Sequence, residues 1–307
     1  MSAAPMTLPR ARRRGPRALA GRHPVGVLMV LPFLAYVGVV YAYPFGYAVW
    51  MALHDYFFTA PGAEVAQPFT GLSTFRTVFS DGALWSSLGH LGVFLALSLP
   101  LTLVVSLALA LALRGSRLRG LLSALFYLPY ASSSVAVICA WIALLSGDGV
   151  LSGLLGGAAP EPSWLVNSGW AMPVIALFVS WKMMGFHILT YLAALQNVPG
   201  ELYEAATVDG AGRWRTLWTV TVPGVRPATT LIVVLSLVTS ANLFTEPYLL
   251  TGSGGPDGAS STPLLLIYQK GVEQSHPGQA AAIGIVLTVV VVLVSLVAGT
   301  LMERGER

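Results

Sequence analysis

Charged side chains are scarce in this chain, so the places where they gather are where chemistry is to be sought. Of 307 residues, 10% are charged and 55% hydrophobic, against about a quarter charged in an ordinary soluble domain. One gathering is YEAATVDGAGRWRTLWTVTVP, from Tyr203 to Pro223, which holds Glu204, Asp209, Arg213 and Arg215. A second is a row inside an apolar run: Ser236, Thr239, Asn242 and Glu246. Their spacing puts them close to one face of a helix. A third is Lys182, beside Trp181 and near His187. Polar groups within a membrane are costly and face a cavity or a partner.

Several kinds of catalysis find no support. A phosphate-binding loop needs a Gly-rich turn running into Gly-Lys-Ser/Thr. The two lysines follow Trp181 and Gln269, so ATP hydrolysis has no site here. The histidines at 23, 54, 90, 187 and 276 show no zinc-ligand spacing. The GSGG at 252–255 has neither the strand-to-helix setting nor the paired His of a nucleophile elbow; it reads as a tight turn. Cys139 is the single cysteine. It has no partner for an intrachain disulfide and reads as a small packing residue.

The elements that position these residues follow from the gaps between charges. Apolar stretches are Pro24–Leu53, Gly82–Leu113, Gly120–Gly147, Pro162–Gly200 interrupted by Lys182, Pro227–Thr245 and Gln274–Met302. Crossing the hydrocarbon core takes about 20 mostly apolar residues. The expected fold is an all-α integral membrane protein with six spans near 26–50, 85–113, 120–145, 170–194, 228–250 and 279–302. The first stretch is 30 residues long without an ionised side chain, too long for the apolar core of a signal peptide, so a retained span is expected. Residues 1–24 form a basic tail and 25–307 the membrane domain. The tail's six arginines would set orientation and touch anionic lipid rather than nucleic acid. With the N-terminus in the cytoplasm, fourteen of the seventeen basic residues fall on the inside. Both termini and the loop at about 195–226 are then cytoplasmic. The outer loops are too short to build a soluble domain, and no tandem repeat is found.

The polar loop reads as two short helices. Pro199 suits a first helical position, and Glu201 and Glu204 lie where the helix dipole favours anions. Asp209-Gly210-Ala211-Gly212 is a stop and turn. A second helix runs Arg213 to Val222 and ends at Pro223. Trp214, Leu217 and Trp218 share one face. Ala205 and Ala206 keep the first helix slim. Such a unit is either an amphipathic connector resting on headgroups or a docking site for a cytoplasmic partner.

Glu204-Ala205-Ala206, three residues, Gly210, nine residues, then Val220-Thr221-Val222-Pro223 resembles the EAA motif of binding-protein-dependent ABC importer permeases. Val stands where that motif has Ile and Leu. FTGLSTFRTVFSD, ALFYLP, LLTGSGGP and GQAAAIG fall at matching places, and the whole is similar to the carbohydrate branch, the maltose- and glycerol-phosphate-type permeases. His90-Leu91 and Ser152 depart from Asn-Thr and Asn of the family pattern. The resemblance implies a permease subunit in a prokaryotic cytoplasmic membrane, importing a sugar or sugar derivative, with no covalent chemistry and no cofactor. It implies a separate cytoplasmic ATP-binding subunit, a second permease subunit, usually a different chain, and an extracytoplasmic solute-binding protein. Glu204, Ala205, Ala206, Asp209, Gly210 and Pro223 would make the ATPase contact, with Glu204 paired to a basic group there. Thr239, Asn242 and Glu246 would hydrogen-bond sugar hydroxyls in transit, or equally neighbouring helices. Lys182 would meet an anionic solute or pair with an acid. The Gly252–Pro256 turn would either touch the solute-binding protein or be a turn only. The rival reading is a secondary transporter, which needs midplane carboxylates and paired broken helices.

Overall fold

Long apolar runs leave the backbone no partner but itself, so the chain answers with helices. The computed structural model describes residues 24–57 and 66–304. The arginine-rich tail expected over 1–24 therefore lies, but for Pro24, outside the described residues. The chain divides into two units between residues 48 and 49. The first holds α1 (Pro24–Val37), a π-helical turn (Gly38–Ala42) and the start of α2 (Tyr43–Leu53). Its tyrosines pair locally: Tyr36 meets Tyr41 edge-on and Tyr43 stacks on Tyr47.

The second unit follows with α3 (Ser73–Ser80), α4 (Gly82–Arg114), α5 (Arg119–Ala131), α6 (Ser134–Leu145), α7 (Val150–Leu155) and α8 (Ser168–Asn197). Then come α9 (Gly200–Val208), α10 (Arg213–Thr216), a π-helical turn (Leu217–Thr221), α11 (Val222–Gly224), α12 (Arg226–Ala241), α13 (Thr245–Leu249), α14 (Pro263–Tyr268), a third π-helical turn (Gln269–Glu273) and α15 (Pro277–Arg304). Among the described residues the only β pairing is an isolated bridge between His54 and Phe69. Among the described residues, five helical segments are long and apolar enough to cross a membrane. The pair Arg213–Gly224 and Arg226–Ala241, bent by 64°, makes a sixth if counted as one.

Two expected spans are broken rather than continuous. The third, expected over 120–145, is α5 and α6 separated by extended residues at Ser132 and Ser133. Ser132 ends α5 by donating both its N–H, at 3.1 Å, and its hydroxyl, at 2.7 Å, to the Leu128 carbonyl. The three serines at 132–134 thus make a joint, and Cys139 faces outward instead of packing inside. The fifth, expected over 228–250, stops at Ala241 and resumes at Thr245.

The centre of the second unit is α8 packed along α4 and α5. At Gly185 the crossing with α5 is backbone on backbone: an added Cβ would stand 2.2 Å from the Phe126 carbonyl oxygen. One apolar cluster joins Leu91, Phe94, Ile138, Ile175, Phe178 and Leu243. Another joins Ala110, Leu113, Ile188, Tyr191, Leu195 and Ile232. A third ties Val78, Leu84, Leu266 and Ile283 near the start of α15. Asp81 caps α4, accepting from the Ala83 N–H at 2.9 Å, and pairs with Lys270 at 2.9 Å. The Ala83 hydrogen bond and then Lys270 hold its carboxyl below the usual range.

Candidate functional site

The first two clusters lie at different heights along the same helices, and a cavity of about 340 Å³ opens between them. On α4 it takes Phe94, Ser98 and Thr102, spaced by four, so one helix face looks into it. On α8 it takes residues from Val179 to His187, midway along a 30-residue helix. The third wall is Ser236, Thr239, Asn242 and Glu246, the row marked out by the sequence. Lys182 is not among the lining residues. Its ammonium donates to the Ser134 hydroxyl at the start of α6.

The third wall owes its shape to the break between α12 and α13. Backbone can leave the helix at membrane depth only where protein or a water-filled cavity satisfies it. Here the Asn242 N–H donates to Thr239 O at 3.0 Å, and its side-chain amide donates to Val238 O at 2.9 Å. The Leu243 carbonyl accepts from the Thr262 hydroxyl at 2.5 Å. A distant segment therefore holds the break open. No proline or glycine lies at 242–244, so the sequence pattern predicts a continuous span.

Several lining residues were not anticipated. Ser98 and Thr102 are buried polar groups on α4, legible afterwards from their four-residue spacing. The Ser180 hydroxyl donates to Ser98 O at 3.4 Å. Tyr130 and Phe186 stack at 5.5 Å between centroids and form an aromatic corner. His187 is 5% exposed and its Nδ1 has no hydrogen-bond partner.

The loop between α8 and α12 is the second candidate site. Pro199 caps α9 from outside the helix, and Gly200 is its first residue, one position later than expected. The helix ends in a Schellman turn: the Gly210 N–H donates to Thr207 O at 3.0 Å and the Ala211 N–H to Ala206 O at 2.9 Å. Gly210 has φ +68°, a conformation glycine adopts without strain. Glu201, Glu204, Ala205 and Asp209 are exposed, while Ala206 turns partly inward. Val208 is 87% exposed, an apolar side chain left facing outward. Tyr203, which the sequence did not single out, anchors the loop. Its hydroxyl lies 3.3 Å from the Thr221 hydroxyl, and the Arg114 guanidinium sits 4.9 Å over its ring. The expected second helix passes through the π-helical turn and, rather than ending at Pro223, runs on to Gly224. Trp214 and Trp218 share a face, 6.5 Å apart, and both are exposed.

The two departures from the family pattern have partners, one distant in sequence and one near. His90 Nδ1 lies 3.0 Å from the Ser261 carbonyl, and the Ser152 hydroxyl donates to Ser146 O at 3.0 Å.

Residues 102–307 match the model of the family described as "Binding-protein-dependent transport system inner membrane component". Among similar proteins, the lactose transport system permease protein of Rhizobium radiobacter is 30% identical over 249 residues, covering 79% of this chain and 82% of that one. The sn-glycerol-3-phosphate transport system permease protein of Yersinia pseudotuberculosis is 32% identical, covering 91% and 95%. The diacetylchitobiose uptake system permease protein of Streptomyces coelicolor is 29% identical, covering 91% and 85%. Among solved structures, a bacterial ABC transporter involved in the import of the acidic polysaccharide alginate aligns with TM-score 0.74 and 25% identity, over 92% of this chain and 96% of that one. The same type of transporter in complex with an alginate pentasaccharide-bound periplasmic protein aligns with TM-score 0.75.

Proposed function

The chain belongs to the binding-protein-dependent transport system inner membrane components, and on that premise we propose that it is the permease subunit of an ATP-driven importer of a sugar or sugar derivative. It is a multi-pass protein of the cytoplasmic membrane and not an enzyme. A solute-binding protein outside the cytoplasm delivers the solute. A separate ATP-binding subunit drives the cycle, and a second permease completes the path. Both termini and the α9–α11 loop face the cytoplasm, a placement that the asymmetry of basic residues supports.

One observation carries the coupling role: α9, closed at Gly210, presents Glu204, Ala205 and a nearly bare Val208 away from the rest of the chain. A loop that only connected spans would turn Val208 inward or into lipid beside Trp214 and Trp218. A slim helix with an acid and an apolar knob suits a groove in a soluble subunit, with Glu204 on a basic group. Coupling then follows from differential affinity: the ATPase holds α9 in different positions in its two nucleotide states. The family match also weighs against a gradient-driven carrier, for which the two broken spans would otherwise speak.

Charge-assisted hydrogen bonds contribute about 1.5–3 kcal/mol, and reversing the charge adds repulsion. Glu204→Lys is expected to reach normal levels in the membrane, to retain less ATPase on purification than Glu204→Gln does, and to lose uptake. In the same preparation a cysteine at Gly212, with Cys139→Ala, should react with an impermeant thiol reagent only from the cytoplasmic side. Full ATPase retention with normal uptake in Glu204→Lys would return the loop to a surface connector.

A further inference from the structure

Membership in this family leaves the charge of the solute open, since the named relatives serve neutral sugars and a phosphate ester alike. The cavity narrows it. The inference rests on the importer reading above and concerns the half of the path that this chain supplies.

The cavity wall holds one ionisable acid, Glu246, and no Lys or Arg. Lys182, the only Lys or Arg within α8, is 6% exposed and directed to Ser134 outside the wall. Its ammonium is turned to the Ser134 hydroxyl rather than to the lumen. The arginines of the described second unit lie outside the lining set. An imidazole has an ordinary pKa of about 6.5, so at pH 7.5 His187 offers a hydrogen-bonding nitrogen without a standing positive charge. That nitrogen, Nδ1, is buried and unpartnered, and buried polar groups without partners are costly.

The remaining wall matches a neutral polyol. Thr239 and Asn242 are exposed into it, and Thr245 and Ser236 add hydroxyls. The stacked Tyr130 and Phe186 rings give a platform for the apolar C–H face of a sugar ring. A phosphate or carboxylate calls for a guanidinium or ammonium within reach. It would find instead a carboxylate among neutral hydroxyl and amide groups. We infer that this chain's half-path passes neutral oligosaccharides or polyols and disfavours sugar phosphates and uronates.

The sign of the cavity's potential can be measured without knowing the solute. A single cysteine replaces Thr239 in a Cys139→Ala background, in the complete importer reconstituted in lipid vesicles, with and without ATP. Its reaction rate is followed at pH 7.5 with neutral, cationic and anionic methanethiosulfonates of similar size. Each rate is normalised to that of the same reagent on free cysteine. A negative charge on Glu246 at several ångströms should slow the anionic reagent about threefold relative to the neutral one, and Glu246→Gln should remove most of that difference. Equal or faster reaction of the anionic reagent would overturn the inference and leave the importer reading standing. No reaction with any of the three, in either nucleotide state, would show that the cavity is not a path; that outcome would overturn the transport role assigned to the cavity itself.

Discussion

The α9–α11 loop and the cavity wall are both polar sites in an apolar protein, and they are built by opposite means. The loop is made mostly of near neighbours: Gly210 closes on Thr207, Ala211 on Ala206 and Tyr203 on Thr221, with Arg114 of α4 over the Tyr203 ring as a tie to the bundle. The cavity gathers residues as far apart as Phe94 and Glu246, and its break at Asn242–Leu243 is held by Thr262 from beyond α13. A site made of neighbours can be changed without disturbing the bundle. A site made by packing depends on helix crossings far from it in sequence.

Two glycines provide the sharpest way to break that contrast. At Gly185 a Cβ would meet the Phe126 carbonyl oxygen at 2.2 Å, whereas at Gly210 it would meet nothing within 4 Å. Overpacking costs about 1–3 kcal/mol where side chains can shift, and here the obstacle is backbone. Gly185→Val should therefore lower the amount of folded permease in the membrane severalfold and its melting temperature in detergent. Gly210→Ala forces an L-residue into the left-handed region, at about 1–2 kcal/mol, confined to the turn. It should leave abundance unchanged and weaken ATPase retention roughly tenfold, the factor that such an energy represents. Equal loss of abundance in both variants would mean that the loop is as much a part of the core as α8 is.

Within the cavity the expected effects are smaller and fall on kinetics. Asn242→Leu removes the amide that donates to Val238 O at 2.9 Å and a polar group facing the lumen. Losing one such hydrogen bond costs about 0.5–1.5 kcal/mol, too little to unfold the bundle. The complex should assemble, with uptake slowed several-fold at saturating solute. Unchanged uptake kinetics would make the row at 236–246 a helix-packing feature only.

What could be read in the sequence follows the same division. The stop at Gly210, the exposed Glu204 and the shared face of Trp214 and Trp218 are set by residues close along the chain, and they were legible to within one position. The widening of the second loop helix at Leu217–Thr221 was not, because an extra residue in a turn leaves no sign in side-chain type. Thr239, Asn242 and Glu246 were legible as a row, but their helix was expected to run through. Nothing at 242–244 shows that Thr262 will take the Leu243 carbonyl. At Ser132–Ser134 a sign was present, Pro129 followed by three hydroxyls, each able to compete for backbone groups. His187 was seen only as a neighbour of Lys182, since burial without a partner is a property of the packed bundle.

The Asp81–Lys270 pair lies outside both regions and should have the smallest effect. Asp81 does two things: it caps α4 through the Ala83 N–H and it meets Lys270. The cap is the larger cause of its lowered pKa and the lysine the next. A carboxyl whose folded pKa is depressed contributes stability above its unfolded value of about 3.9, and that contribution is lost as pH falls through the folded value. Stability from this group should thus be constant from pH 7 down to about pH 5 and decline only below about pH 4. With Asp81 34% exposed, solvent screening limits the ion pair to less than about 1 kcal/mol. Losing the cap costs about 1 kcal/mol. Asp81→Ala should therefore lower the melting temperature at pH 7 more than Lys270→Met does, and the difference should shrink as pH falls below about 4, through the folded pKa. Raising salt should narrow the Lys270→Met effect and leave the cap effect in place. If Lys270→Met costs as much as Asp81→Ala at pH 7, the ion pair rather than the cap fixes the start of α4. Neither change should alter ATPase retention or thiol reaction rates in the cavity, because neither residue touches the loop or the wall.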